Sequence, residues 1–185
     1  MALGLRAAWR PGADEPGRRG EYRRPNDNVR KRLINAISER ARSHAAGWLD
    51  MDATASVEVS SEEKEFPIES ALLKGETVGW RAANPGAQTI RLIFDTPRDV
   101  RHIALVFEEN GTKRTQEFVL RWSPDGGDSF REIVRQQWNF SPPETAREAQ
   151  EYQVDLANVT VLELTIIPEI SGGTARASLK SLRVA

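Results

Sequence analysis

Residues 69–94, ESALLKGETVGWRAANPGAQTIRLIF, decide the fold. A polar loop ends there at Trp80-Arg81, the chain turns at Asn84-Pro85-Gly86, and an alternating strand begins at Thr89. Proline presets φ and glycine reaches positive φ, so this cluster punctuates a change of direction rather than a helix. Apolar residues then fall at every second position, the period of a strand with one buried face.

The same period continues in both directions. Upstream, Ala55, Val57 and Val59 alternate with Thr54, Ser56 and Glu58, and Phe66 and Ile68 anchor the connection after the solvated run 60–65. Downstream, strands are expected at 89–95, 100–108, 114–122, 130–136, 151–156, 161–167 and 177–184. Asn110-Gly111 is the strongest tight-turn signal in the chain. Eight strands without intervening helical patterns predict an antiparallel jelly-roll β-sandwich over residues 53–185.

The first quarter of the chain reads differently. Residues 1–26 are rich in Gly, Pro and Arg with no apolar period, as expected of a flexible basic arm. Asp27 or Asn28 can cap a helix in which Val29, Leu33, Ile37, Ala41, Ala45 and Trp48 recur every three or four residues. An amphipathic helix over 27–48 follows, packed on the sandwich or docking a second protein.

Composition narrows the function classes. The 185 residues carry a net charge of −1 and no cysteine, which excludes disulfides and thiolate metal sites. Residues 1–50 hold 11 Lys/Arg against 6 Asp/Glu, which leaves 15 against 21 in the rest, so the arm is basic and the body acidic. That balance disfavours a dedicated nucleic-acid binder. The start, broken by Arg6, Arg10 and Pro11, lacks the apolar centre of a secretory signal, and no stretch is long enough to span a bilayer. A cytoplasmic protein with no membrane partner is expected, or a domain of a longer chain.

Few residues suit catalysis. His44 falls in the expected helix and His102 in a strand, neither beside a serine nucleophile, and no nucleophile elbow, phosphate loop or paired-histidine motif occurs. The reading is therefore not an enzyme. Ser123-Pro-Asp125-Gly-Gly127-Asp-Ser129-Phe130 lacks calcium-loop spacing. It resembles the Asp-box, which implies a structural role for Asp125. Among five tryptophans, Trp80 ends the central loop, Trp122 shares a face with Phe118 and Leu120, and Trp138 follows Arg135-Gln-Gln137 at a strand end. Trp138 reads either as the leading contact aromatic or as a ring folded over the sandwich edge.

From Val59 to Ala185 the order of parts resembles the galactose-binding-like superfamily, with its discoidin-like domains and carbohydrate-binding modules. The carriers are Trp80, then Thr89-Ile-Arg-Leu-Ile-Phe-Asp95, Val100-Arg-His-Ile-Ala-Leu-Val106, Phe118-Val-Leu-Arg-Trp-Ser-Pro-Asp-Gly126 and Ala177-Ser-Leu-Lys-Ser-Leu-Arg-Val184. Within it, Leu72-Leu-Lys74, Thr77, Trp80-Arg-Ala-Ala83, Gly86 and Thr89-Ile90 are most similar to the N-terminal domain of the X-ray-repair cross-complementing scaffold protein. The superfamily resemblance also raises a calcium site. Glu69 would stand at its first position, but Ser181 stands where a glutamate belongs, so no cofactor is expected.

The expectation is a non-catalytic binding module presenting Arg81, Asn84, Arg135, Gln137 and Trp138 on strand-end loops to a carbohydrate. The alternatives are an intracellular adaptor for a protein or nicked nucleic acid, and an accessory domain of an enzyme complex.

Overall fold

Alternation of apolar and polar residues produces eight strands, described in a computed structural model over residues 47–75 and 78–185. The expected arm, and all but the last two residues of the expected helix, lie outside these. In order come α1 (Met51–Thr54), β1 (Ala55–Val59), α2 (Glu69–Leu72), β2 (Trp80–Pro85) and β3 (Gln88–Glu108). Then follow β4 (Arg114–Ser123), β5 (Arg131–Phe140), β6 (Arg147–Ile167), β7 (Arg176–Leu179) and β8 (Ser181–Val184). All pairings are antiparallel, with β1-β3-β6-β4-β5 in one order, β8 on β3, and β2–β7 as a separate ribbon. No helix among the described residues is long and apolar enough to cross a membrane.

The number of strands agrees with expectation, but their division does not. The expected strands at 89–95 and 100–108 form one strand, β3, and those at 151–156 and 161–167 form one, β6. Their mutual pairing breaks register between Ile93 and Arg98 and twice more by His102, so both bend together. Pro97 falls outside the paired positions, where its missing N–H costs no ladder bond. The loop expected up to Trp80 instead turns into a strand there, because Trp80 and Arg81 pair with Leu179 and Ser178.

The bend gives the ribbon two working halves. The first half of β3 lies between β1 and the second half of β6, while its second half pairs with β8 and the first half of β6. Ile90, Leu92 and Phe94 are buried in the first half, and Ile103, Leu105 and Phe107 in the second, so the inward face changes from even to odd positions. A bulge makes the change: the amides of Arg101 and His102 both donate to the Ala185 carbonyl, at 2.7 and 2.9 Å.

Between the layers, Phe107 packs against Phe118 and Trp138 with ring centroids 5.5 and 5.1 Å away, and Phe118 lies 5.0 Å from Trp138. Trp138 is only 8% exposed, which corrects the expectation of a loop aromatic available for stacking. The strand runs on to Phe140, two residues beyond Trp138, and Trp138 faces Gln116 on the inner side.

The outer face carries a row of charges. Glu58, Arg91, Glu163, Arg121 and Glu132 stand in register across five strands. Glu163 is 1% exposed and accepts from Arg91 Nε at 2.7 Å and Arg121 Nε at 3.0 Å, so its buried charge is paired on both sides.

The Asp-box motif holds the turn between β4 and β5. Ser123 Oγ donates to Asp125 Oδ1 at 2.6 Å, and the Ser129 amide and hydroxyl donate to the two Asp125 oxygens at 2.9 and 2.5 Å. These bonds, led by that from Ser123, lower the Asp125 pKa to about 2. By contrast, Asn110-Gly111 closes no hairpin, since β3 and β4 do not pair. Its loop crosses from one layer to the other, and Glu109 Oε1 accepts the Gly111 and Thr112 amides at 2.8 and 3.0 Å.

Trp138→Ala should destabilise the fold by about 3–5 kcal/mol, as for a large ring removed from a core. Urea unfolding followed by far-UV circular dichroism measures this, and a loss under about 0.5 kcal/mol would place the ring at the surface instead. Asp125 supplies a pH test. Its folded pKa lies below the unfolded value of about 4, so its contribution is complete above that pH and fades as pH falls towards 2. The stability advantage of the wild type over Asp125→Asn should therefore shrink between pH 4 and 2, and a constant difference in urea midpoints across that window would refute the assignment.

Candidate functional site

A cleft of about 490 Å³ opens where the end of β3, the loop after it, and the β2–β7 ribbon meet. Its walls include Arg81, Glu108, Glu109, Asn110, Thr112, Arg114, Arg176 and Lys180, with Trp80 and Phe66 among the apolar residues. Gly79 brings the ribbon together: its φ is +77°, and a Cβ there would lie 2.7 Å from the Leu179 carbonyl oxygen.

Each charged wall residue is positioned by neighbours. Arg114, 6% exposed, donates from Nη1 to the Arg176 carbonyl at 2.9 Å and pairs through Nη2 with Glu109 at 3.0 Å. Burial lowers its pKa, against the pull of Glu109 and Glu169. Burial alone would raise Glu108, yet hydrogen bonds from Lys180, at 3.1 Å, and from Arg147 outweigh it and hold the carboxyl below its ordinary value. Arg176 bonds Glu63, whose other oxygen lies 3.7 Å from Arg81 Nη1. The Arg81 guanidinium also stacks on the Phe66 ring, 4.1 Å from its centroid.

Chemically this is a surface of donors and acceptors. Both wall carboxylates are held by cations. Trp80 is 1% exposed, so it presents no open ring to a ligand.

Of the residues expected to make contacts, the cleft contains Arg81 alone. Asn84 is exposed at the end of β2, its amide bonded to Ser61 Oγ at 3.2 Å, and it is not in the cleft wall. Arg135 and Gln137 lie on the outer face, both donating to Glu117, at 2.7 and 2.8 Å. The pleat separates them from Trp138, because successive side chains of a strand point to opposite faces. One surface cannot use all three. Asn110, Arg114, Arg176 and Lys180 were missed, although Asn110 stood in the strongest turn signal, Arg114 opened an expected strand, and Arg176 and Lys180 stood just before and within another.

The calcium question turns on other residues. Glu69 is exposed at the start of α2, and Ser181 pairs with Val106 in β8. The carbonyls following that helix already bind a cation of the chain's own: Arg183 donates to Ala71, Leu72 and Leu73 oxygens at 3.1, 2.5 and 2.7 Å. Among the described residues no group of three or more His, Cys, Asp or Glu could hold a metal ion.

No family model matches the chain, and no curated protein matches it. Solved structures do. A family 32 carbohydrate-binding module from C. perfringens NanJ, in complex with galactose, aligns with TM-score 0.56 and 17% identity, over 74% of this chain and 96% of that one. A family 32 module of a family 31 glycoside hydrolase from Clostridium perfringens gives 0.56 and 18%, over 77% and 96%. The family 32 module of AlyQ, in complex with 4,5-unsaturated mannuronic acid, gives 0.54 and 16%, over 75% and 97%. Likeness at this identity establishes the fold alone: the chain has the antiparallel jelly-roll sandwich that these modules share.

Proposed function

We propose that this chain is a non-catalytic carbohydrate-binding module whose contact surface is the cleft between the β2–β7 ribbon and the loop after β3. The observation that carries the reading is the cleft itself: its volume of about 490 Å³ suits a short saccharide, and its walls carry exposed Asn110, Thr112, Arg81 and Arg176 beside the half-buried Lys180. Such groups match sugar hydroxyls through directed hydrogen bonds. The fold adds support, since two of the structures it resembles hold galactose and an unsaturated mannuronic acid. Arg183 holds the carbonyls of Ala71, Leu72 and Leu73 at the end of α2.

A glycan array followed by calorimetry on the best sugar tests this. Asn110→Ala should weaken binding at least tenfold, Arg135→Ala on the outer face should leave it unchanged, and EDTA should have no effect. Silence across the array, with binding to nicked duplex DNA that falls steeply as salt rises, would replace this reading with the adaptor one.

A further inference from the structure

We infer that the cleft selects a sugar bearing one negative charge, a carboxylate-type acidic sugar, held by Arg81 and Arg176; this rests on the carbohydrate-binding reading above. The two arginines reach the cleft from the paired strands of the ribbon and turn to the same carboxylate, Glu63. Their side chains are 45% and 50% exposed, while Glu63 is 19% exposed. One carboxylate cannot neutralise two guanidinium groups. Each of these groups also has five N–H donors, more than Glu63 can accept.

The other cations of the cleft wall each face a carboxylate of their own. Lys180 faces Glu108 at 3.1 Å and Arg114 faces Glu109 at 3.0 Å. With Arg147 on Glu108 and Glu169 near Arg114 included, five cations face four carboxylates in and around the cleft among the described residues, so one positive charge is left over, and it lies at the Arg81–Arg176 pair. Donors are also in excess behind the wall: Trp80 Nε1 and Arg114 Nε are buried without an acceptor.

A neutral sugar would supply hydroxyls but leave the charge uncompensated. A planar carboxylate matches the guanidinium fork and forms the stronger, charge-assisted bonds. A densely sulfated chain would overshoot a surplus of one charge. The preference thus comes from two arginines on one acid, not from a broad basic face.

The test compares acidic glycans with their carboxyl-reduced counterparts: polygalacturonate, alginate, hyaluronan and sialyllactose, each before and after reduction, by calorimetry at fixed ionic strength. At least one acidic form should bind tenfold or more tighter than its reduced form. In Arg176→Gln and Arg81→Gln, both half-exposed and checked for native circular dichroism, that ratio should fall towards one. Equal binding of acidic and reduced forms would overturn charge selection while leaving a sugar-binding module. A preference for a sulfate monoester over every carboxylate would overturn the carboxylate assignment. No binding to any acidic, reduced or arrayed neutral glycan would overturn both readings.

Discussion

The fold depends on a single hydrogen-bonded ribbon that serves two layers. β3 and β6 are each 21 residues long and pair along most of that length, so neither layer can form without the other. A straight ribbon of this kind would bury the same parity throughout. The bulge at Arg101 and His102 removes that conflict by adding one residue to the bent strand, and the acceptor of both freed amides is the carbonyl of Ala185. The end of the chain is thereby a structural part of the middle of β3. Phe107 points inward onto Phe118 and Trp138 only because of this shift, and β3 then delivers Glu108 and the following loop to the mouth of the cleft.

Two polar side chains buried against the sandwich, Gln88 and Glu163, are met by matched sets of partners. Gln88, 5% exposed, accepts from Ser60 and Ser61 at 2.6 and 2.8 Å and donates to the Asn84 and Pro85 carbonyls, fastening the turn between β2 and β3. Glu163 is met by two arginines, which is the reverse of the cleft, where two arginines share one partly exposed acid. The comparison is informative. On the outer face the buried carboxylate needs both cations to offset its desolvation, whereas Glu63 is partly hydrated and the surplus falls on arginine side chains open to solvent.

Legibility in the sequence follows the range of the interaction that decides each feature. Alternation is local, so β1, β4 and the inward faces of the long strands could be read from it, and the Asp-box turn could be read because its bonds span no more than four residues. Trp138 misled because its polar neighbours Gln136, Gln137 and Asn139 suggested a loop, while Gln137 and Asn139 occupy the polar outer positions of an edge strand and Gln136, on the face of Trp138, accepts from the Tyr152 hydroxyl at 2.7 Å. Asn110-Gly111 misled for a related reason: whether a turn closes a hairpin depends on which strands pair, and β4 pairs with β5 and β6 rather than with β3. Arg176 and Glu63 are 113 residues apart, and nothing in a local pattern joins them. Of the candidate site, only Arg81 could be found without the topology.

That topology also explains why selectivity can reside where it does. The β2–β7 ribbon is hydrogen-bonded apart from the main sheet, so Arg81 and Arg176 can be exchanged without touching the ladder that joins the layers. Their spacing is nevertheless fixed from outside the ribbon. Gly79 allows β2 to approach Leu179, the Gly86 amide donates to the Ala175 carbonyl at 3.1 Å, and the Lys180 amide donates to Val106 at 2.8 Å on β3. A rigid frame with replaceable side chains is what a recognition surface requires, because the ordering cost is met in folding rather than in binding. The arginine pair is held on such a frame while half of each side chain remains in water, which leaves its unused donors for a partner.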